Sequence, residues 1–247
     1  MSAVTSRIFA GVDLAADPRR TGLAVLREAD GAVRIEDVHV GASDDDVLAA
    51  IIPASKAGVD VPFGWPRRFV DLVAGHQAGD LESPADTGPD WRRAVLFRET
   101  DLEVRRQVGK TPLSVAADKI AYPAIRWAAI AARLREQDIP TPRDGSGVAC
   151  EVYPGAALAA WGFGAQRYKK AAGALARGEL VEALSGRWPW LDWAGHEDVC
   201  AASDDALDAV IAAVVAREVL LGRAISPRAE LAAAAADEGW IWLPTPN

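Results

Sequence analysis

The sequence predicts an α/β protein built on a mixed sheet, and three observations carry that expectation. Residues 7–41, RIFAGVDLAADPRRTGLAVLREADGAVRIEDVHVG, hold three apolar-rich runs separated by DPRRTG and by Asp30-Gly31. Asp-Gly between alternating runs is a strong hairpin signal, so these runs form three consecutive antiparallel strands. The next run, SDDDVLAAIIPASKA, has Ser43 as an N-cap, acids in its first turn and an apolar face behind them, the pattern of a helix. AGVDVPFGWP then supplies a short buried strand stopped by Pro62. A helical crossover returns that strand parallel to the first.

Beyond this β-β-β-α-β unit the chain is less regular from 63 to about 117, which reads as an insertion of helical pieces over one end of the sheet. Residues 118–136 are strongly helical, and PTPRDGSG ends that element. VACEVYP is the fifth strand. GAALAAWGF and QRYKKAAGALARGELVEALSG are helical in pattern, the second presenting Arg167, Lys169 and Lys170 as an ordinary basic face. SDDALDAVIAAVVAREVLLG is the clearest helix, opened by Ser203 and closed by Gly222, and EGWIWLP is a short strand or packed extension. With no repeat, low-complexity tract or linker, residues 1–247 are expected to form one domain with an insertion at about 63–117.

Composition narrows the function. The formal net charge of −8 lacks the basic field that non-specific nucleic-acid binding needs, while leaving room for an enzyme with a local basic groove. Two cysteines, Cys150 and Cys200, make no disulfide framework and suit a reducing compartment. The N-terminal MSAVTSRIFAG has no apolar leader core, and no apolar run reaches spanning length. A cytoplasmic protein without membrane partners is expected.

Chemistry is suggested by acids that interrupt apolar patterns. Asp13 ends the first strand, Asp60 the fourth and Glu151 the fifth, and Asp208 is the only charged residue in ALDAVIAAVVA. Asp204 or Asp205, a turn earlier, can share its helical face. Each acid alone has an ordinary role: Asp13 in a turn, Asp60 bonded to backbone ahead of Pro62, Glu151 paired with an arginine, Asp204 and Asp205 at a helix N-terminus. Together, carboxylates at neighbouring strand ends would repel one another unless a hard cation joined them. Mg²⁺ or Mn²⁺ in such a site can serve phosphoryl transfer.

The order of elements and the motifs GVDLA, GVDVPFGWP, RETD, EVYP and DALDAVIAA resemble the DUF429 family, predicted nucleases of the ribonuclease H-like superfamily. The resemblance implies a five-stranded ribonuclease H-like sheet and hydrolysis of phosphodiester bonds in a structured nucleic acid. It implies Asp13 as the first-strand metal ligand, with Glu151 or Asp60 from a later strand. Asp205 and Asp208 would match the last-helix carboxylates of Holliday-junction resolvases. The catalytic set is thus Asp13, Asp60, Glu151, Asp205 and Asp208, with Asp13, Glu151, Asp205 and Asp208 as metal ligands. Similarity to the family's R-x-x-D stretch also implies substrate contacts from Arg98, Asp101 and Arg105, against a solvated helix with local ion pairs.

Other motifs carry less. VGKTP lacks the earlier glycine of a phosphate loop, because position 104 is valine. His39, His76 and His196 form no ligand cluster, and WPWLDW reads as packing rather than a base-stacking surface. Two rival functions stay open. One is a scaffold or binding protein that keeps the fold without chemistry, which the acidic charge suits. The other is an ATP-binding relative of sugar kinases and actin, a class that needs two such domains where this chain has one copy of the first-strand motif.

Overall fold

A computed structural model describes residues 6–164 and 167–246. The strands are β1 (Arg7–Asp13), β2 (Gly22–Ala29), β3 (Ala32–Val40), β4 (Lys56–Asp60), β5 (Ala149–Val152), β6 (Leu191–Asp192) and β7 (Ile241–Trp242). Helix α1 (Asp44–Ile51) precedes β4, and α2 (Arg67–Ala78), α3 (Pro89–Leu96), α4 (Glu99–Val108) and α5 (Ala121–Arg135) lie between β4 and β5. After β5 come α6 (Pro154–Ala160), α7 (Ala174–Arg187), α8 (Glu197–Ala202), α9 (Asp204–Leu220) and α10 (Ala232–Glu238).

The sheet runs β6-β3-β2-β1-β4-β5-β7, with β1, β2 and β3 antiparallel and β4 parallel to β1. The expected five strands are therefore seven among the described residues. β6 joins β3 and β7 joins β5, each through two residues, too short for a readable period. The Trp-rich WPWLDW segment forms β6 and its flanks, and Trp188 and Trp193 are buried. Ser43 opens α1 through a reciprocal capping box with Asp46.

Two layers of helix close the core. Helix α1 and α5 cover one face, packing Val47, Ile51, Trp127, Ile130 and Leu134 on Val12 and Val59. On the other face lies α9, every residue of which from Ala206 to Ala216 is buried, as expected of a helix that is apolar all round. Its close seating depends on glycines in three adjacent strands. A Cβ at Gly11 would lie 2.0 Å from Ala209 O, one at Gly22 2.0 Å from Asp205 O, and one at Gly58 2.2 Å from Ala212 O. Backbone thus meets backbone, and the N-terminal turns of α9 are fixed over the C-terminal ends of β1 and β4.

One expected helix is shorter than its composition suggests. The run predicted to be helical from Gln166 becomes α7 only at Ala174; Ala165 and Gln166 lie outside the described residues. Arg167, Lys169 and Lys170 consequently lie on a loop rather than a helical face. The buried Arg177 guanidinium explains this, donating to the carbonyls of Tyr168 and Lys170 as well as those of Ala201 and Ala202. Lys170 takes a left-handed φ of 65°, and its N–H donates to Asp204 Oδ2.

Candidate active site

Strand register decides which acids meet. Asp13 and Asp60 are Cα partners across the β1–β4 ladder, so their side chains share the sheet face covered by α9. Asp208 comes down from α9 onto the same place. Glu151 pairs with Val59, one residue out of phase with Asp60, and belongs to the opposite face.

Burial and like charge act together on this trio. Asp13 is held well above the ordinary carboxylate range, first by burial and then by the charges of Asp208 and Asp60. Asp60 is pushed up to about 7 by burial, with Asp208 and Glu151 adding to it and Lys169 opposing. Asp208 is also raised by burial, against the pull of Lys169. Its Oδ1 accepts from the Tyr168 hydroxyl at 2.8 Å. Its buried Oδ2 forms an ion pair with Lys169 Nζ at 2.7 Å.

The other sequence-predicted residues do not join the trio. Asp205 sits at the rim in a bidentate pair with Arg20, at 2.8 and 2.9 Å. Glu151 is fully engaged: Arg98 grips both oxygens at 2.8 Å, and the Phe63 N–H donates to Oε2 at 2.9 Å. The same guanidinium donates to Asp101 Oδ1 at 2.8 Å. Arg98 and Asp101 are 1 % and 0 % exposed and tie the 63–117 segment to β5, with Arg98 and Glu151 at the wall of the cleft beside Asp60. Arg105 is exposed on α4.

Three cations that the sequence does not assign to the site lie near the acids. Lys169 is the central one. Arg20 is the exposed partner of Asp205. Lys110, from the VGKTP stretch, donates to Gly155 O at 2.7 Å, and its ammonium is lowered by burial and by the nearby Lys169. A cleft of about 200 Å³ opens beside the trio, lined by Asp60, Lys169, Tyr153, Pro62, Leu113 and Ile120 among others.

Asp13, Asp60 and Asp208 offer carboxylate oxygens, the donor type that a hard divalent cation prefers, and the charges of Asp208 and Asp60 add to the burial that raises Asp13. Among the described residues, no group of three or more His, Cys, Asp or Glu side chains is spaced to hold a metal ion as it stands. Among the described residues, the positive charge set against Asp208 is the Lys169 ammonium.

A mixed sheet with its acids gathered at the ends of two parallel strands, under a buried helix, defines an α/β protein with a carboxylate-centred site. The family model described as "Protein of unknown function (DUF429)" matches residues 11–232, and the chain belongs to that family. No curated protein and no solved structure gives a significant match.

Proposed function

We propose that the chain is a divalent-metal-dependent phosphodiesterase of ribonuclease H-like fold that hydrolyses a structured nucleic acid. The strand order β3-β2-β1-β4-β5, antiparallel and then parallel, supports the fold reading. The functional reading is carried by one observation: Asp13 and Asp60, in register on adjacent strands, share the face on which Asp208 descends. Three crowded carboxylates with raised pKa values make a poor structural arrangement, and such groups gather at functional sites.

Asp13, Asp60 and Asp208 would hold Mg²⁺ or Mn²⁺, which when bound supplies Lewis acidity for a water and for the phosphodiester. The chain's own residues do the rest. Lys169, on a segment clamped by Arg177 and Asp204, carries an ammonium that can turn from Asp208 to a phosphate oxygen. Arg20 offers a second cation at the rim, and the cleft past Tyr153 gives the substrate a place beside Asp60.

The Lys169–Asp208 pair also favours a second reading, a binding protein whose acids are neutralised by an ammonium alone. Labelled DNA, RNA, hybrid and branched substrates incubated with Mg²⁺ or Mn²⁺ separate the two. The phosphodiesterase reading expects metal-dependent cleavage by the wild type and none by Asp13→Asn. Binding without cleavage under every metal condition favours the second.

A further inference from the structure

A cavity of about 380 Å³ lies on the α5 side of the sheet, away from α9 and its acids. Three of the residues lining it are aromatic: Phe63, Trp65 and Trp127. Phe63 and Trp127 are buried and stacked at 4.5 Å, which leaves the partly exposed Trp65 as the accessible ring. A second cleft of about 280 Å³ shares Trp65 and Arg143 with it.

Two guanidiniums border the cavity. Arg135, in the last turn of α5, and Arg143 are both exposed, and neither pairs with a carboxylate among the described residues. Arg143 donates one N–H to Asp237 O at 3.3 Å, and its other guanidinium N–H groups have no side-chain or backbone acceptor among the described residues. Its stem crosses the chain at Gly64, where a Cβ would come within 2.9 Å of Arg143 Cδ and 2.8 Å of Glu238 O. Thr141, also in the lining, has its Oγ1 buried with no partner among the described residues. A buried hydroxyl left unpaired is costly. Asp144, the one acid of the lining, is turned to its own loop, accepting from Ser146 N and Oγ through Oδ1.

The loop that presents Thr141 and Arg143 is rigidly built. The buried Lys56 ammonium donates to Gly145 O and Gly147 O, and the Trp242 indole N–H donates to Asp144 O. A site held in this way loses little entropy when it binds. An accessible indole, two guanidinium forks and an unpaired hydroxyl around a cavity of ligand size match a planar ring carrying a phosphate.

We propose that this cleft binds a nucleoside monophosphate unit, with the ring on Trp65 and the phosphate between Arg135 and Arg143, within reach of Thr141 Oγ1. The unit can be a free nucleotide or the phosphorylated end of a single strand. The inference rests on this cleft alone and stands whether or not the acid cluster hydrolyses anything.

Calorimetric titration of the full chain with AMP, adenosine, inorganic phosphate and a 5′-phosphorylated single-stranded hexanucleotide tests it. AMP is expected to bind roughly tenfold or more tightly than either adenosine or phosphate, since each has half of the recognised chemistry. The double variant R135A/R143A is expected to lose about tenfold or more in AMP affinity with an unchanged melting temperature. Trp65→Ala is expected to weaken adenosine as well as AMP. Tighter binding of the hexanucleotide identifies a strand end as the ligand, and tighter binding of AMP a free nucleotide. The proposal fails if AMP binds no better than phosphate, if R135A/R143A binds AMP like the wild type, or if Asp13→Asn rather than the arginine variant abolishes binding.

Discussion

Lys169 Nζ lies 2.7 Å from Asp208 Oδ2, so an ammonium supplies the positive charge that the Asp13–Asp60–Asp208 cluster requires. If these carboxylates also hold a divalent ion, that ion and Lys169 compete for them. Lys169→Ala is then expected to lose about 1–2 kcal/mol of stability without metal, a buried-pair penalty discounted because the lysine is half exposed. The same variant is expected to gain a larger Mn²⁺-induced rise in melting temperature than the wild type. An equal rise in both proteins would show that Lys169 and the ion do not share a place.

Asp60 gives the cluster a pH signature. Its carboxyl is pushed up to about 7 in the folded protein, by burial first, from an ordinary 3.8. The folded state therefore holds this proton more tightly than the unfolded chain. Its contribution to stability is complete below 3.8 and is lost as the pH rises through 7. Asp60→Asn removes that dependence. Relative to the wild type, the variant is expected to gain on the order of 1–3 kcal/mol between about pH 5 and pH 8. Denaturant unfolding at both pH values measures the difference, and parallel behaviour of the two proteins would contradict it.

Arg98 is expected to matter for folding rather than for substrate. It neutralises Glu151 and Asp101 inside the protein, and its removal leaves both carboxylates unpaired and buried. Arg98→Ala is expected to cost about 3–5 kcal/mol. Pairing Arg98→Met with Glu151→Gln recovers part of that loss, because the uncompensated charge on Glu151 is gone. A variant of normal stability with weakened nucleic-acid binding would restore Arg98 to the substrate surface.

Gly11 sets the height of α9 above the sheet. A methyl group there would lie 2.0 Å from Ala209 O, and backbone cannot retreat cheaply. Gly11→Ala is expected to destabilise by ~3 kcal/mol or more, the cost of overpacking a core contact. An unfolding curve matching the wild type would mean that α9 is free to lift, and Asp208 with it.

The sequence made much of this architecture legible, and the reasons for the exceptions are physical. Asp-Gly at 30–31, the Ser43 and Ser203 caps and the helical crossover each act locally, so the three antiparallel strands, the parallel β4 and α9 could be read directly. Two-residue strands such as β6 and β7 have no period to detect. Asp13, Asp60 and Asp208 stand out because each breaks an apolar run. Glu151 breaks one too, but its face depends on register, and one residue of phase turns it from α9 to Arg98. Lys169 was hidden by composition: RYKKAAGALAR reads as helix, whereas Arg177 and Asp204 hold its first residues as a loop.

The most direct test of the central claim is a Mn²⁺ titration, followed by calorimetry or by the electron paramagnetic resonance of free ion, on the wild type and on Asp13→Asn. Saturable binding by the wild type that is lost in the folded variant is the expected result. Equal binding by both proteins, or binding by neither, would contradict a metal site built on Asp13, Asp60 and Asp208.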